Sequence, residues 1–231
     1  MPKVYRQGTS DENVIKEILE KKAYRKKKIG FDVSPDDVWL DGGAQIGVFA
    51  EYAAIKGCKK VVCYEPEESN FKLLQTNCQD LQLKYGSEFI LKNRAIENKS
   101  GEGFLTVAPN TWRHSLQTHY KKPLPKQKVV CDSFSGILKS NTDINAVKLD
   151  IEGSELEILH SRQDFSGVRK LVFEYSFTKN RDMIYFFECV SNLESSGFNV
   201  HFPPSYKNQK HNGTSNQWGG FVDDIVFCTR K

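Results

Sequence analysis

The chain has 231 residues, enough for one α/β domain with a sizeable core, and its 39% hydrophobic and 27% charged residues are ordinary for a globular protein. A net charge of +4 does not by itself call for nucleic acid, no apolar run is long enough to span a bilayer, and the N-terminus carries no apolar leader core. The six cysteines (Cys58, Cys63, Cys78, Cys131, Cys189 and Cys228) lack C-x-x-C spacing, which argues against zinc and for reduced thiols in a soluble, cytoplasmic protein.

Thr9-Ser10-Asp11-Glu12 has the form of a capping box, and Val14, Ile15, Ile18 and Leu19 recur on one face. A helix is predicted from there to about Tyr24. This sets residues 1–30 apart as an N-terminal helical segment ahead of a single domain over 31–231. The basic run Arg25-Lys26-Lys27-Lys28 reads as a solvated helix end, with contact to an anionic partner as the alternative. Ser34-Pro35-Asp36-Asp37 turns into the first strand.

Val38-Trp39-Leu40-Asp41-Gly42-Gly43-Ala44-Gln45-Ile46-Gly47-Val48-Phe49 organises the rest of the chain. It reads as strand, glycine turn and helix start. Without a Cβ in the way, backbone N–H groups in such a turn come close to a ligand. The G-G-x-x-x-G spacing is not the dinucleotide fingerprint, and Asp41 would repel a pyrophosphate. The ligand wanted here carries positive charge, amines or hydroxyls, as S-adenosylmethionine does.

The next strand, Lys60 to Tyr64, ends in Glu65, where a carboxylate can accept both ribose hydroxyls. Pro66 suits a helix start, with Phe71, Leu74 and Cys78 on its apolar side. Glu88 to Leu91 is a third strand, and Ala95 just beyond it offers a small surface for an adenine. Residues 103–107 and 129–132 read as short strands. Between them runs a long irregular segment with Trp112 and His114. Asn145 to Leu149 is a strand ending at Asp150, with a helix from Ser154 to Ser161 after it. Leu171 to Phe173 is a strand ending at Glu174, with a helix from Asp182 to Ser196 after it. Strands at 198–202 and 224–228 close the chain around a polar loop carrying Trp218.

Alternating strands and helices predict a Rossmann-like, seven-stranded, mostly parallel sheet with helices on both faces. The last two strands have no helix between them, so the C-terminal strand should run antiparallel, as in class I methyltransferases. Ligands of such sheets sit beyond the strands' carboxyl ends. Asp41, Glu65, Asp150 and Glu174 all fall there. Gly42, Gly43, Gln45 and Gly47 join Asp41, Glu65 and Ala95 as candidate cofactor contacts. Asp150 and Glu174 can converge on an acceptor hydroxyl, or on a hard divalent ion such as Mg2+ or Mn2+. Glu152 is the alternative base, or else a carboxylate that stabilises the helix after it; His114 is a further acid–base candidate.

Two segments carry a family likeness. Asp41-Gly42-Gly43-Ala44-Gln45-Ile46-Gly47 with Glu65-Pro66 and Asn77 is one; Lys148-Leu149-Asp150-Ile151-Glu152-Gly153-Ser154-Glu155 through Leu159 is the other. Together they resemble the FkbM-type S-adenosylmethionine-dependent methyltransferases. The resemblance departs at Gln45, where the family often has Asn. It implies O-methylation of a hydroxyl, often on a sugar or a polyketide-like small molecule.

Two loops, 108–128 and 203–220, each mix a tryptophan with hydrogen-bonding side chains, Asn110, Thr111, Arg113 and His114 in the first. That mixture suits a sugar, a glycan or a nucleotide sugar, with its apolar C–H face and its hydroxyls. Methylation of RNA or protein is the alternative, supported by the basic run together with Lys121, Lys122, Lys126 and Lys128. A non-catalytic S-adenosylmethionine-binding module and an NAD-dependent dehydrogenase are weaker readings. The first must explain the acidic strand ends, and the second the glycine spacing.

Overall fold

A computed structural model of the chain describes residues 4–108, 114–116, 123–177, 183–202 and 222–230. Its main sheet has seven strands: β1 (Val38–Gly42), β2 (Lys60–Tyr64), β3 (Glu88–Lys92), β7 (Ala146–Leu149), β8 (Lys170–Phe177), β9 (Asn199–His201) and β10 (Val222–Thr229). Their order is β3-β2-β1-β7-β8-β10-β9, and β10 runs antiparallel to both its neighbours. This is the class I Rossmann-like arrangement expected from the alternation of elements. The order reverses between β1 and β7, where a crevice opens at the carboxyl ends.

Parallel strands buried on both faces read as continuous apolar runs, and successive side chains alternate between faces. On one face Trp39, Val61, Cys63, Ala146 and Val172 pack against α2 (Val48–Ile55), α3 (Glu68–Tyr85) and the N-terminal segment. On the other, Leu40, Val62, Val147, Leu171 and Phe173 pack against α4 (Phe134–Ser140), α5 (Glu155–His160) and α6 (Met183–Ser195). Ala50 and Ala53 of α2 have no exposed surface, so small side chains let this helix lie close to the sheet. All six cysteines are buried free thiols.

The N-terminal helix is shorter than predicted. It comprises α1 (Asp11–Ile15) and a π-helical continuation over Lys16–Glu20. It stops there because Lys22 turns to φ 57 and sends Tyr24 inward. Nor does the capping box close as expected: the Glu12 carboxylate accepts the Gly8 N–H (3.0 Å), and Thr9 Oγ1 accepts the Asp11 N–H (3.3 Å). Two elements had no reading in the sequence. One is α4, capped by Ser133 Oγ on the Gly136 N–H. The other is β4 (Ala95–Glu97), which joins β5 (Gly101–Thr106) and β6 (Lys126–Ser133) in a small second sheet ordered β4-β6-β5.

Candidate active site

Register builds the centre of the site. Asp41 on β1 lies opposite Lys148 on β7, and Lys148 lies opposite Val172 on β8, so Asp41, Lys148, Asp150 and Glu174 share one face at the carboxyl ends. Lys148 is buried, with Nζ 3.0 Å from Asp41 Oδ1 and 3.7 Å from Asp150 Oδ2. It also donates to the Gly42 and Gly43 carbonyls, each at 3.2 Å. Burial pulls Lys148 down, but the charges of Asp41, Asp150 and Glu174 outweigh it and hold the amine above its ordinary value. Removing one partner of such a buried pair costs about 3–5 kcal/mol, because the other charge is stranded.

Tyr24 completes this centre from the N-terminal segment. Its hydroxyl donates to Asp150 Oδ2 at 2.7 Å, and its ring meets Phe49 edge-on at 5.4 Å. Lys148 Nζ stands 5.5 Å from the same ring's centroid. Burial pushes Asp150 up, but the Lys148 charge and the hydrogen bond from the Tyr24 hydroxyl prevail and hold it below its ordinary value. Asp150, Glu152 and Glu174 offer carboxylate oxygens within 4.8 Å of one another. All three line one cavity with Tyr24 and Lys148.

Glu155 shapes the loop that carries two of them. It is buried, and its two oxygens accept the Ile151 and Gly153 N–H groups at 2.7 and 2.9 Å. Glu155 therefore ties the backbone ahead of α5. Glu152, at φ 59, is left on the cavity side, and its carbonyl accepts from Ser115 Oγ at 2.6 Å.

The same cavity extends along the glycine turn, where Gly43, Gln45, Glu65 and Ala95 line it. Gly43 has φ 74, and a Cβ there would stand 1.8 Å from the Asp150 carbonyl oxygen, so only glycine fits this crossing. Glu65 is buried, and its oxygens accept the Gln45 and Glu67 N–H groups, both at 2.8 Å. Burial lifts Glu65 to about 7 against the pull of those two amides. The remaining lone pairs of a carboxylate held this way can accept a diol.

Three of the candidate cofactor contacts do not line the cavity. Asp41 and Gly42 are buried behind it; Asp41 faces Lys148, and its Oδ2 is a buried acceptor without a hydrogen-bond partner among the described residues. Gly47 lies at the N-cap of α2 against Leu74. Asn77, one of the motif residues, fastens the turn instead, donating to the Ile46 carbonyl at 2.7 Å.

His114 does line the cavity, but its Nδ1 accepts the Ala108 N–H at 3.1 Å. Burial lowers it despite nearby Glu67. The neutral ring then offers the cavity an Nε2–H donor rather than a base. Trp112 and Trp218, with Asn110, Thr111 and Arg113, lie outside the described residues.

The profile of the Methyltransferase FkbM domain matches residues 41–200, more than half of the chain. The chain belongs to the FkbM methyltransferase family. No curated protein matches it. Among solved structures it is similar to P. horikoshii TYW2 in complex with MeSAdo (12% identity, 85% of this chain and 58% of that one, TM-score 0.47). It is also similar to M. jannaschii TYW2 in complex with AdoMet (13%, 99% and 78%, TM-score 0.47). A third likeness is to precorrin-6y C5,15-methyltransferase from Geobacter metallireducens (12%, 99% and 92%, TM-score 0.47). The chain thus spans under two thirds of the first of these, and likenesses this distant do not bear on substrate.

Within this FkbM chain, three parts of the site had no reading in the sequence. Tyr24 comes from outside the matched span. Lys148 sits in the family motif, but its partner is set by strand register. Glu155 comes after the motif's acidic pair and shapes the loop from α5.

Proposed function

We propose that this chain is an S-adenosylmethionine-dependent O-methyltransferase acting on a hydroxyl of a sugar or glycan. One observation carries the reading: a cavity lined by the glycine turn and Glu65 at one end is lined by Asp150, Glu152 and Glu174 at the other. The first end suits a nucleoside. Glu65 is a buried carboxylate set by two amides to receive ribose hydroxyls, with Ala95 and Ile96 offering an apolar shelf to an adenine. The second end suits a sulfonium next to an acceptor hydroxyl, because its carboxylates attract positive charge and accept a proton.

S-adenosylmethionine supplies an electrophilic methyl when bound. The chain's own part is positioning, which can provide much of the acceleration in an in-line displacement. Asp150, held low by Lys148 and Tyr24, is ionised at working pH and is a weak base. It therefore accepts a hydrogen bond from the acceptor hydroxyl and takes the proton late. Glu174 and Glu152 stand beside it as further acceptors. The N-terminal segment belongs to the same working unit as the domain over 31–231, since it contributes Tyr24.

The three carboxylates are also an oxygen-only set of the kind that Mg2+ or Mn2+ takes. Chelation separates the two versions. Methyl transfer that survives EDTA assigns the carboxylates to the hydroxyl alone, and transfer lost to EDTA and restored by Mg2+ or Mn2+ assigns them to the ion.

RNA is the second reading, and the basic run gives it limited support. Arg25 is paired with Asp32 at 3.1 Å, Lys26 lies over the Phe227 ring, and Lys128 is paired with Glu102 at 2.8 Å. Incubation with labelled S-adenosylmethionine and a panel of sugars, nucleotide sugars, glycans, RNA and protein tests the acceptor. Label is expected in a sugar hydroxyl; label confined to RNA or protein overturns that part of the reading.

A further inference from the structure

Asp11 opens a helix, where an acidic side chain is ordinarily solvated, yet it has no exposed surface. Its Oδ2 accepts the Arg6 backbone N–H (3.0 Å) and Arg6 Nε (2.9 Å). Its Oδ1 accepts Arg6 Nη2 and Gln45 Nε2, both at 3.1 Å. Gln45 stands on the glycine turn at φ 50, and its own N–H is one of the two that hold Glu65. Arg6 also donates to Asn70 Oδ1, and the Asn70 side chain is itself hydrogen-bonded to Glu65.

A second strap runs alongside. The Val4 N–H and carbonyl both bond the Asn77 side chain at 2.9 Å, and Asn77 holds the Ile46 carbonyl. Adjacent residues of the turn, Gln45 and Ile46, are thus tied to residues 4–11. A non-glycine residue at positive φ is held there by its surroundings. A Gln side chain is one methylene longer than the Asn often found here in the family, and in this chain it reaches Asp11.

We infer that residues 4–11 form a clamp that sets cofactor affinity, with Asp11 as a positioning residue acting through Gln45 on Glu65. The inference rests on the S-adenosylmethionine reading of the cavity. Residues 4–11 precede the matched span 41–200, while Gln45, Asn70 and Asn77, which they hold, lie inside it. Its effect is on a preorganised acceptor. With Gln45 loose, Glu65 loses one of its two backbone N–H donors and must be reordered when a ribose binds.

Calorimetric titration of the full chain with S-adenosylhomocysteine tests this. Asp11→Ala is expected to weaken binding about tenfold, as loss of a buried charge-assisted contact does. Asp11→Asn, which keeps an acceptor for Gln45 Nε2, should restore most of the affinity. In a Gln45→Ala background the Asp11→Ala change should cost less than about twofold. Hydrogen exchange at the Gln45 amide should quicken in Asp11→Ala while α6 amides stay protected. Unchanged affinity in Asp11→Ala, or the same loss in both backgrounds, overturns the clamp. Should Asp11→Ala not fold, Arg6→Ala with and without Gln45→Ala carries the same test. A folded wild-type chain that does not bind S-adenosylhomocysteine overturns the cofactor reading and the clamp with it. Binding that survives every clamp variant overturns the clamp alone.

Discussion

Asp150→Asn is expected to lower turnover by about 10²–10⁴-fold, the range for a positioned acid–base group. The substitution keeps the side chain's shape, and an amide oxygen can still accept the Tyr24 hydroxyl that now sits 2.7 Å away. What it removes is the negative charge opposite Lys148 and the ability to take a proton. Affinity for S-adenosylhomocysteine, which lacks the sulfonium charge, should stay within about threefold, because the ribose end of the cavity is built from Glu65 and the glycine turn. Single-turnover rates with labelled S-adenosylmethionine and the best acceptor separate these quantities. Turnover within about threefold of wild type would move the proton-accepting role to Glu174 or Glu152, the other carboxylates within 4.8 Å.

Glu65→Gln should act on the other end, weakening S-adenosylhomocysteine binding by about 10–100-fold, since a hydrogen bond to a charged group contributes about 1.5–3 kcal/mol. Its pH dependence gives a second signature. Burial raises Glu65 from its ordinary 4.5 to about 7, so the folded chain retains a proton that the unfolded chain has lost. Ionising Glu65 therefore costs stability as pH rises between those two values, and the loss is complete above about 7. Ribose hydroxyls donate to the ionised form and favour it. Binding below about pH 7 should thus release a proton, and affinity should weaken as pH falls from about 8 to about 6. In Glu65→Gln that slope should flatten. A slope that persists unchanged assigns the titration to another group.

The sheet was legible because parallel strands buried on both faces are apolar runs of fixed length, and each leads into a turn or a helix start. β1, β2, β7 and β8 have that form, while β3, an edge strand with exposed Glu88 and Lys92, was legible from Phe89-Ile90-Leu91 alone. Glu65 and Asp150 were legible for the same reason, since each follows directly on an apolar strand. Glu174 does not close its strand as expected, because pairing with β10 carries β8 on to Phe177. It reaches the rim only because β7 ends beside it at Leu149. The charge balance within the site was not legible. Lys148 is a cation in the middle of a buried strand, and only the pairing of β7 with β1 brings it to Asp41. Tyr24 and Asp11 lie in a segment whose local pattern is that of an amphipathic helix, and tertiary packing alone turns them toward Asp150 and Gln45. β4 has three residues, too few for a period, and α4 has two buried apolar anchors, Phe134 and Ile137, in a short run.

The most direct test of the central claim is a crystal structure of the chain with S-adenosylhomocysteine. The ribose hydroxyls are expected on the Glu65 carboxylate, with the ligand's sulfur turned toward Asp150 and Glu174. A ligand bound outside this cavity, or one whose ribose is held by residues other than Glu65, would contradict the assignment.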